Sequence, residues 1–278
     1  MGYKTILVHT DLGKAALDRI RLAARLARAA DAHLVGSALT GISRFIPPET
    51  LAAGGSALAQ RCAALRDEAR ESLERFRRTV QEEGVASVEA RLIDDEVDGG
   101  MAVQARYCDL VVVGQADYDP VTPTLPKDLP EYLFLTSGRP VLVVPCTGCA
   151  AQLDGGALVA WDGSVEAAHA VDGALPLLRA AASVTVIGFG DQAPAPGNSG
   201  DPCVLLAAWL ARHGIAARAG HRACEGNIGD ALLSAASDTG AGLLVMGGYG
   251  HSRFRELLTN GVTATILRSM TVPVLLAH

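Results

Sequence analysis

The stretch "GLLVMGGYGHSRFRELLTNG", residues 242–261, joins an apolar run to a glycine-rich loop and then to a segment with helical character. The apolar run has the length of a buried strand, and it stops at Gly247 and Gly248. Gly250 follows Gly247 at three-residue spacing. Glycine permits positive φ and close backbone approach to a ligand. A strand, a glycine loop and a helix in this order predict a parallel α/β sheet with a binding loop at its carboxyl edge.

The same order of elements occurs twice in the 278 residues. "TILVHTD" (5–11) and "ALVAWDGS" (157–164) are short apolar strands that lead to Asp11 and Asp162. "DLVVVGQAD" (109–117) matches "GLLVMGGYG" (242–250), and "GRPVLVVP" (138–145) matches "TVPVLLAH" (271–278). A repeat on this scale indicates a duplicated domain rather than a solenoid.

Each half predicts five strands with helices between them. The strands are expected at residues 4–9, 33–39, 86–93, 109–114 and 140–145, and then at 157–161, 183–189, 215–222, 242–247 and 272–277. Alternating strands and helices imply parallel sheets with right-handed crossovers. We therefore predict an α/β fold of two tandem, doubly wound, five-stranded parallel-sheet domains at residues 1–146 and 155–278, with a linker at 147–156.

The first half carries a long insertion, "PPETLAAGGSALAQ" (47–60), ahead of an Arg/Glu-rich helix that ends near Gly84. Apolar residues repeat in that helix at spacings of three and four, which predicts one buried stripe. The stripe consists of Leu65, Ala69, Leu73, Phe76 and Val80. Its charged residues are interpreted as a solvated outer face.

Composition limits the partners. Hydrophobic residues make up 49% of the chain and charged residues 19%, which favours a buried core over disorder. The net charge is −6 and no basic stripe with aromatic residues is present, so we expect no nucleic-acid partner. Apolar runs are strand-sized, which argues against a membrane span. The N-terminus lacks the layout of a signal peptide, and we expect a cytoplasmic protein.

Six cysteines are spread along the chain, and in a reducing compartment we expect most to be thiols. Cys146 and Cys149 form a CxxC. No second pair of ligands lies at zinc-finger spacing, and the CxxC follows a strand rather than opening a helix. A linker that holds two cysteines is the simpler interpretation, and any metal ligands stay unknown.

In open α/β sheets, ligands bind at the carboxyl ends of the strands where the strand order reverses. This rule selects "WDGS" (161–164) and the glycine loop in the second half. Asp162 can accept from an adenine amine or a ribose hydroxyl, or hold magnesium. Asn260 and Gly261 precede the helical "VTATILRSM", whose free N–H groups suit a phosphate. His251, Ser252 and Arg253 can add donors at the rim, and Ser164 is expected to cap the helix after Asp162.

The corresponding loop of the first half, "QADYDPVTPTLPKDLPEYLFL" (115–135), has no Gly-x-x-Gly, and Asp117 and Asp119 would repel phosphate. Asp11 at the end of the first strand is as often a helix cap as a ligand. His9 beside it is interpreted as structural. The first half is therefore expected not to bind nucleotide. Neither the Walker glycine motif nor a Rossmann G-x-G-x-x-G after the first strand is present anywhere in the chain.

With these residues, the second half resembles a universal stress protein domain, and the whole chain resembles the tandem bacterial members of that family. The nucleotide-binding branch has G-x2-G-x9-G-[S/T]; Gly247 and Gly250 match it, while Asn260 stands at the third glycine and Gly261 at the Ser/Thr position. Asp162 matches the opening aspartate. The resemblance implies an adenine nucleotide alpha hydrolase-like fold.

The resemblance also implies roles for individual residues. Ala160, Trp161 and Asp162 would border adenine and ribose, and Phe189 would close over the base. Met246, Gly247 and Gly250 would line the ribose and phosphates. Asn260, Gly261 and Val262 would meet the phosphate tail, and Thr263 can supply the hydroxyl that Gly261 lacks.

These residues favour a stress-response regulator that binds ATP, with or without magnesium, or else ADP or AMP. Hydrolysis is expected to be absent or slow, because only Asp162 could serve as a general base. The alternative is a scaffold or interaction protein of the same fold without nucleotide. An adenylyl-transferring enzyme would need catalytic loops for which the chain has no room. The final apolar strand suits a homodimer or intramolecular pairing of the two domains.

Overall fold

The computed structural model describes residues 2–46, 55–116, 128–147, 153, 155–189, 200–224, 226–249 and 261–278. Strands and helices alternate through these ranges. The strands are β1 (Thr5–His9), β2 (His33–Leu39), β3 (Val88–Ile93), β4 (Leu110–Gly114), β5 (Val141–Val144), β6 (Gly156–Ala160), β7 (Ser183–Phe189), β8 (Ala217–Arg222), β9 (Ala241–Gly247) and β10 (Val274–Ala277).

The helices are α1 (Ala16–Ala30), α2 (Gly55–Glu82), α3 (Val97–Ala105), α4 (Leu129–Thr136), α5 (Val165–Ala180), α6 (Pro202–Arg212), α7 (Ile228–Asp238) and α8 (Val262–Ser269). Every expected strand is present, with bounds within two residues of the prediction. The α/β class and the largely parallel pairing are confirmed.

The chain divides into two compact units. Unit 1 comprises Met1–Arg139 and Cys146–Ala151. Its strands follow the order β3-β2-β1-β4 and are parallel. Central β1 is apolar on both faces, with Ile6, Leu7 and Val8 fully buried, as expected for a strand covered by helices on either side.

Unit 2 comprises Pro140–Pro145 and Gln152–His278. Its strands follow the order β5-β10-β9-β6-β7-β8, and β5 is antiparallel to β10 whereas the others are parallel. Val143 lies opposite Val274, and Val141 lies opposite Leu276. The two Pro-led strands of the sequence are therefore neighbours within unit 2.

One segment, residues 140–145, groups with the second unit in the structure. Residues 140–145 were expected to complete the first domain, but they group with unit 2 and give it a sixth strand. The physical reason is that β10 would otherwise expose a row of unpaired backbone groups at the sheet edge, and β5 supplies their partners.

Helix α2 begins at Gly55, so it includes the last part of the insertion, "GSALAQ". The predicted stripe is confirmed: Ala69, Leu73, Phe76 and Val80 are buried, and Leu65 is half-buried. A Cβ at Gly36 of β2 would lie 2.5 Å from the Phe76 ring, so that glycine lets the helix pack on the strand. Among the described residues, no helix is long and apolar enough to cross a membrane.

Candidate functional site

A cavity of about 340 Å³ opens in unit 2 at the carboxyl ends of β6 and β9. These two strands are neighbours, and β6 pairs on its other side with β7, so the cavity lies where the strand order reverses. Its lining is mainly apolar. The lining residues are Ala160, Trp161, Asp162, Phe189, Ile228, Leu232, Met246, Gly247, Tyr249, Gly261, Val262 and Thr263.

The fold brings together most of the residues that the sequence singled out. Those that line the cavity are Ala160, Trp161, Asp162, Phe189, Met246, Gly247, Gly261, Val262 and Thr263. The other predicted residues, Gly250, His251, Ser252, Arg253 and Asn260, lie outside the described residues. In unit 1, Asp117 and Asp119 lie outside them too, as does Cys149 of the CxxC.

Sequence reasoning missed Ile228, Leu232 and Tyr249. The first two lie one turn apart on α7, whose N-cap Asn227 accepts from Gly229 N at 2.7 Å. The Asn227 amide also donates to Thr265 Oγ1 at 3.4 Å, which joins the start of α7 to α8. The apolar pair at i, i+4 is visible in the sequence "NIGDALL". That spacing predicts a buried helix face, but it does not indicate that α7 begins beside α8.

Asp162 is held by a short turn after β6. Its Oδ1 accepts from Ser164 N at 2.9 Å and from Ser164 Oγ at 2.6 Å. Ser164 Oγ in turn accepts from Ala167 N at 3.1 Å, so the predicted N-cap of α5 is confirmed. Gly163 between them has φ 76°, a conformation that favours glycine. Asp162 is exposed and has no ion-pair partner in the described part of the chain, which leaves its carboxylate available to a ligand.

Gly247 at the end of β9 lines the cavity and is also required by packing. A Cβ at Gly247 would lie 2.5 Å from Ala167 N and 2.8 Å from the Glu166 carbonyl carbon. Glycine is therefore needed for packing against the first turn of α5. Gly247 and Gly248 do not have positive φ, so that expectation was wrong for both. The left-handed residue is Tyr249, at φ 54°.

Helix α8 points its N-terminus at the same cavity. Gly261 is the N-cap with φ −71° and ψ 163°, and no side chain caps the helix there. Thr265 N donates to Gly261 O at 3.0 Å, while the N–H groups of the preceding helical residues have no intrahelical acceptor. Thr263 in this first turn is buried and lines the cavity. Free N–H groups at the positive end of a helix dipole favour an anion.

Unit 1 has a polar cavity at the matching position after β1, also about 340 Å³. Its aspartate, Asp11, already has a cation: Arg19 Nη2 lies 2.6 Å from Asp11 Oδ2. Arg19 is 2% exposed, and its Nε donates to His9 O at 2.9 Å. Burial favours a neutral Asp11, but the Arg19 guanidinium and His9 outweigh it and hold the pKa of Asp11 well below its usual range.

His9 is fully enclosed in the same cluster. Burial lowers its pKa below that of a free imidazole, which keeps the ring neutral. Its Nδ1 lies 3.3 Å from Asp11 Oδ2, but the geometry gives no hydrogen bond. Asp11 does not cap α1, whose N-cap is Ala15. It is the anion of a buried ion pair, and neither reading of the sequence anticipated that.

Comparisons with known proteins bear on the fold and on the second half of the sequence. Residues 157–278 match the model of the Universal stress protein family. A universal stress protein from Archaeoglobus fulgidus superposes with a TM-score of 0.73 at 13% identity, over 98% of this chain and 95% of that chain. A functionally unknown protein from Pseudomonas aeruginosa gives 0.54 at 20% identity, over 99% and 92%.

A putative universal stress protein from Pseudomonas aeruginosa gives a TM-score of 0.53 at 19% identity, over 99% of this chain and 93% of that chain. No curated protein sequence matches the chain significantly. At these identities the structural neighbours establish the fold, and the family match applies to the second half of the sequence.

Proposed function

We propose that unit 2 binds an adenine nucleotide, ATP in the first place, in the cavity at the ends of β6 and β9. One observation carries the proposal: an apolar wall, an uncompensated carboxylate and an uncapped helix N-terminus converge on a single cavity. These are the three surfaces that a base, a ribose and a phosphate require. The family match of residues 157–278 supports the assignment.

The base would occupy the apolar end. Trp161 and Phe189 are half-buried, and Leu232 and Met246 are buried behind them. Burial of a planar ring against such side chains is favourable, and aromatic rings add stacking. Asp162 lies next to Trp161 and would accept from a ribose hydroxyl or, for a nucleotide with magnesium, approach the ion.

The phosphates would occupy the end formed by α8. The N–H groups of its first turn and the Thr263 hydroxyl are the donors that the described residues offer there. Donors to a charged phosphate form stronger hydrogen bonds than donors to a neutral group. Unit 1 would not bind, because Arg19 already neutralises Asp11.

The proposed role is that of a cytoplasmic stress-response regulator whose nucleotide is retained rather than turned over. Among the described lining residues Asp162 is the one carboxylate, and its Oδ1 already accepts two hydrogen bonds from Ser164. A carboxylate engaged in this way is a poor general base, so hydrolysis would be absent or slow. A homodimer belongs to the same proposal.

The test is a thermal shift series with ATP, ATP–Mg, ADP, AMP and NAD, followed by titration calorimetry. A ligand at 100 times its dissociation constant stabilises the folded protein by about 2.7 kcal/mol. The chain has two tryptophans, which offer a matched pair: Trp161 lines the cavity, whereas Trp209 packs on His213. Trp161→Ala should weaken binding at least tenfold, and Trp209→Ala should leave it unchanged.

A second pair tests the carboxylate. Asp162→Asn removes a charged acceptor from the cavity and should weaken binding about tenfold, because a hydrogen bond to a charged group contributes about 1.5–3 kcal/mol. Asp172→Asn, an exposed position on α5, is the control. If no nucleotide shifts the unfolding temperature of the wild-type chain, the binding proposal fails and the scaffold alternative replaces it.

A further inference from the structure

Asp201, Cys203 and His221 form a cluster in unit 2 whose residues do not line the nucleotide cavity. Asp201 is the N-cap of α6, Cys203 lies in its first turn, and His221 lies on β8. One oxygen, one sulfur and one nitrogen all lie within 4.8 Å of one another. Within the described ranges, this is the only group of three His, Cys, Asp or Glu residues that converges so closely.

Two backbone elements fix the cluster. Asp201 Oδ1 accepts from Cys203 N at 2.8 Å, as a helix N-cap does. The same oxygen lies 2.8 Å from His221 Nε2. His221 itself is held by strand pairing, because it lies opposite Gly188 of β7 in the parallel register. The three side chains are thus positioned by secondary structure rather than by a loose loop.

Gly188 gives the cluster its space. A Cβ at this position would lie 2.8 Å from His221 Nδ1 and 3.0 Å from Cys203 Sγ. A side chain at position 188 would therefore displace the imidazole of His221 and the thiol of Cys203 from their present positions. Gly188 has no positive φ that would require glycine, so its missing side chain is explained by the approach of the imidazole and thiol.

We infer that Asp201, Cys203 and His221 bind a divalent metal ion of the zinc type. Thiolate, imidazole and carboxylate are the ligands of zinc, with bonds of about 2.3 Å to sulfur and about 2.0–2.2 Å to nitrogen and oxygen. Magnesium and calcium prefer oxygen ligands alone. Three protein ligands leave the fourth tetrahedral position to water.

Zinc would take the place of two hydrogens. The S–H bond of Cys203 breaks and its proton passes to solvent, because a coordinating thiol is deprotonated. The proton on His221 Nε2 also leaves: from a protonated ring it passes to solvent, and in a neutral ring it is replaced by one on Nδ1 through a change of tautomer, so the coordinating imidazole is neutral and protonated on Nδ1. The side chains of Asp201 and His221 are 23% and 32% exposed, so the ion has a path from solvent.

The bound ion would link the start of α6 to β8 beside Phe189, the neighbour of Gly188. The three ligands do not line the nucleotide cavity, and the ion would raise the unfolding temperature by binding only the folded chain. Nucleotide and metal sites can therefore be tested separately on the same protein.

The experiment titrates the full chain with zinc against a chromophoric chelator, and with cobalt, whose thiolate complexes show a charge-transfer absorption band. We expect one tightly held ion per chain and a cobalt–thiolate band. Cys203→Ser should abolish the band, and His221→Gln should weaken zinc binding at least tenfold. Cys224→Ser and His33→Gln are the matched controls and should bind as the wild type does.

Asp201→Asn is the most informative variant, because asparagine keeps the N-cap and removes the charged ligand. It should weaken zinc binding at least tenfold while its metal-free circular dichroism stays that of the wild type. If Cys203→Ser fails to fold, His221→Gln and Asp201→Asn decide the question. Unchanged affinity in both of them, or loss of the ion in Cys146→Ser, would overturn the inference.

Discussion

Each of the two units begins with a buried strand that leads to an aspartate, but the two aspartates have different partners. In unit 1 Asp11 forms an ion pair with buried Arg19, whereas in unit 2 Asp162 is exposed and bonded to Ser164 alone. Arg19 lies eight residues after Asp11, and the residue at the same separation from Asp162 is the uncharged Ala170. The carboxylate of unit 1 is engaged by a cation of its own chain, whereas no described cation engages the one in unit 2.

The largest effect should come from Arg19→Ala. Removing the cation leaves the part-buried Asp11 carboxylate with Gly13 N as its remaining backbone donor, and the loss should approach the ~3–5 kcal/mol typical of a broken buried pair. Both tryptophans belong to unit 2, so their fluorescence reports that unit, whereas circular dichroism reports the whole chain. Chemical unfolding followed by circular dichroism should show the loss of unit 1.

The control for this variant is Arg21→Ala on the same helix. Arg21 forms an exposed pair with Asp18 at 3.7 Å, and exposed pairs contribute about 0–1 kcal/mol. Equal losses for the two variants would show that the buried pair is not what distinguishes unit 1.

Gly247→Ala should break the corresponding feature of unit 2. Its new Cβ would lie 2.5 Å from Ala167 N, against helix backbone that cannot rotate away. Overpacking of this kind costs about 1–3 kcal/mol, and the shift should also lower nucleotide affinity. Gly220→Ala on β8 meets no atom within 4 Å and serves as control. Tryptophan fluorescence during urea unfolding measures the stability of both variants, and titration calorimetry measures their nucleotide affinity.

The two units should also differ in how their stability depends on pH. Burial lowers the pKa of His9, so the native ring stays neutral while the unfolded ring gains a proton below about pH 6.5. The unfolded state then binds more protons than the native state. The free energy of unfolding therefore decreases as the pH is lowered below about 6.5, by up to about 1.4 kcal/mol per pH unit.

His9→Gln should flatten this slope between pH 6.5 and 5 in urea titrations followed by circular dichroism. The depressed pKa of Asp11 acts in a different window: its stabilisation is present above about pH 3.9 and is lost as the pH falls below that. Alanine stands at the matching position in unit 2, Ala160, so tryptophan fluorescence should show no change in slope. An unchanged slope by circular dichroism would contradict the prediction.

The smallest effect concerns the first helix of each unit. Ser164 caps α5, and replacement of such a cap by alanine costs about 1 kcal/mol. Helix α1 starts from Ala15 at φ −86° and ψ 1°, which is not the extended conformation of a capping residue. Ser164→Ala should therefore destabilise unit 2, whereas Ala15→Ser should not stabilise unit 1. A gain in Ala15→Ser, measured by urea unfolding, would contradict this reasoning.

The strand pattern could be read from the sequence because short apolar runs between polar turns are a local signal. The duplicated order also showed which loops would meet, and so Trp161, Met246 and Val262 were expected in one place. Local sequence patterns could not predict the ion pair between Asp11 and Arg19 in unit 1. Arg19 is one of four arginines in α1, and only the fold shows that it is the buried one reaching Asp11.

The glycine loop illustrates the same limit. Its glycines were predicted to face a ligand, and Gly247 does line the cavity, but it is also required by the backbone of α5. Among the described residues of the loop, the left-handed position is occupied by Tyr249. Glycine content reveals that a backbone needs room, but it does not reveal which neighbour takes that room. The same applies to Gly188, whose partner side chains come from α6 and β8.

The pairing of β5 with β10 has a practical consequence for dissecting the protein. A fragment that starts after residue 146 contains every strand of the second sequence repeat, yet it lacks Val141–Val144. Its β10, apolar and buried in the whole chain, would present a bare edge to solvent, and such edges promote aggregation. Expression of unit 2 on its own should therefore begin at Pro140, six residues before the boundary that the repeat suggests.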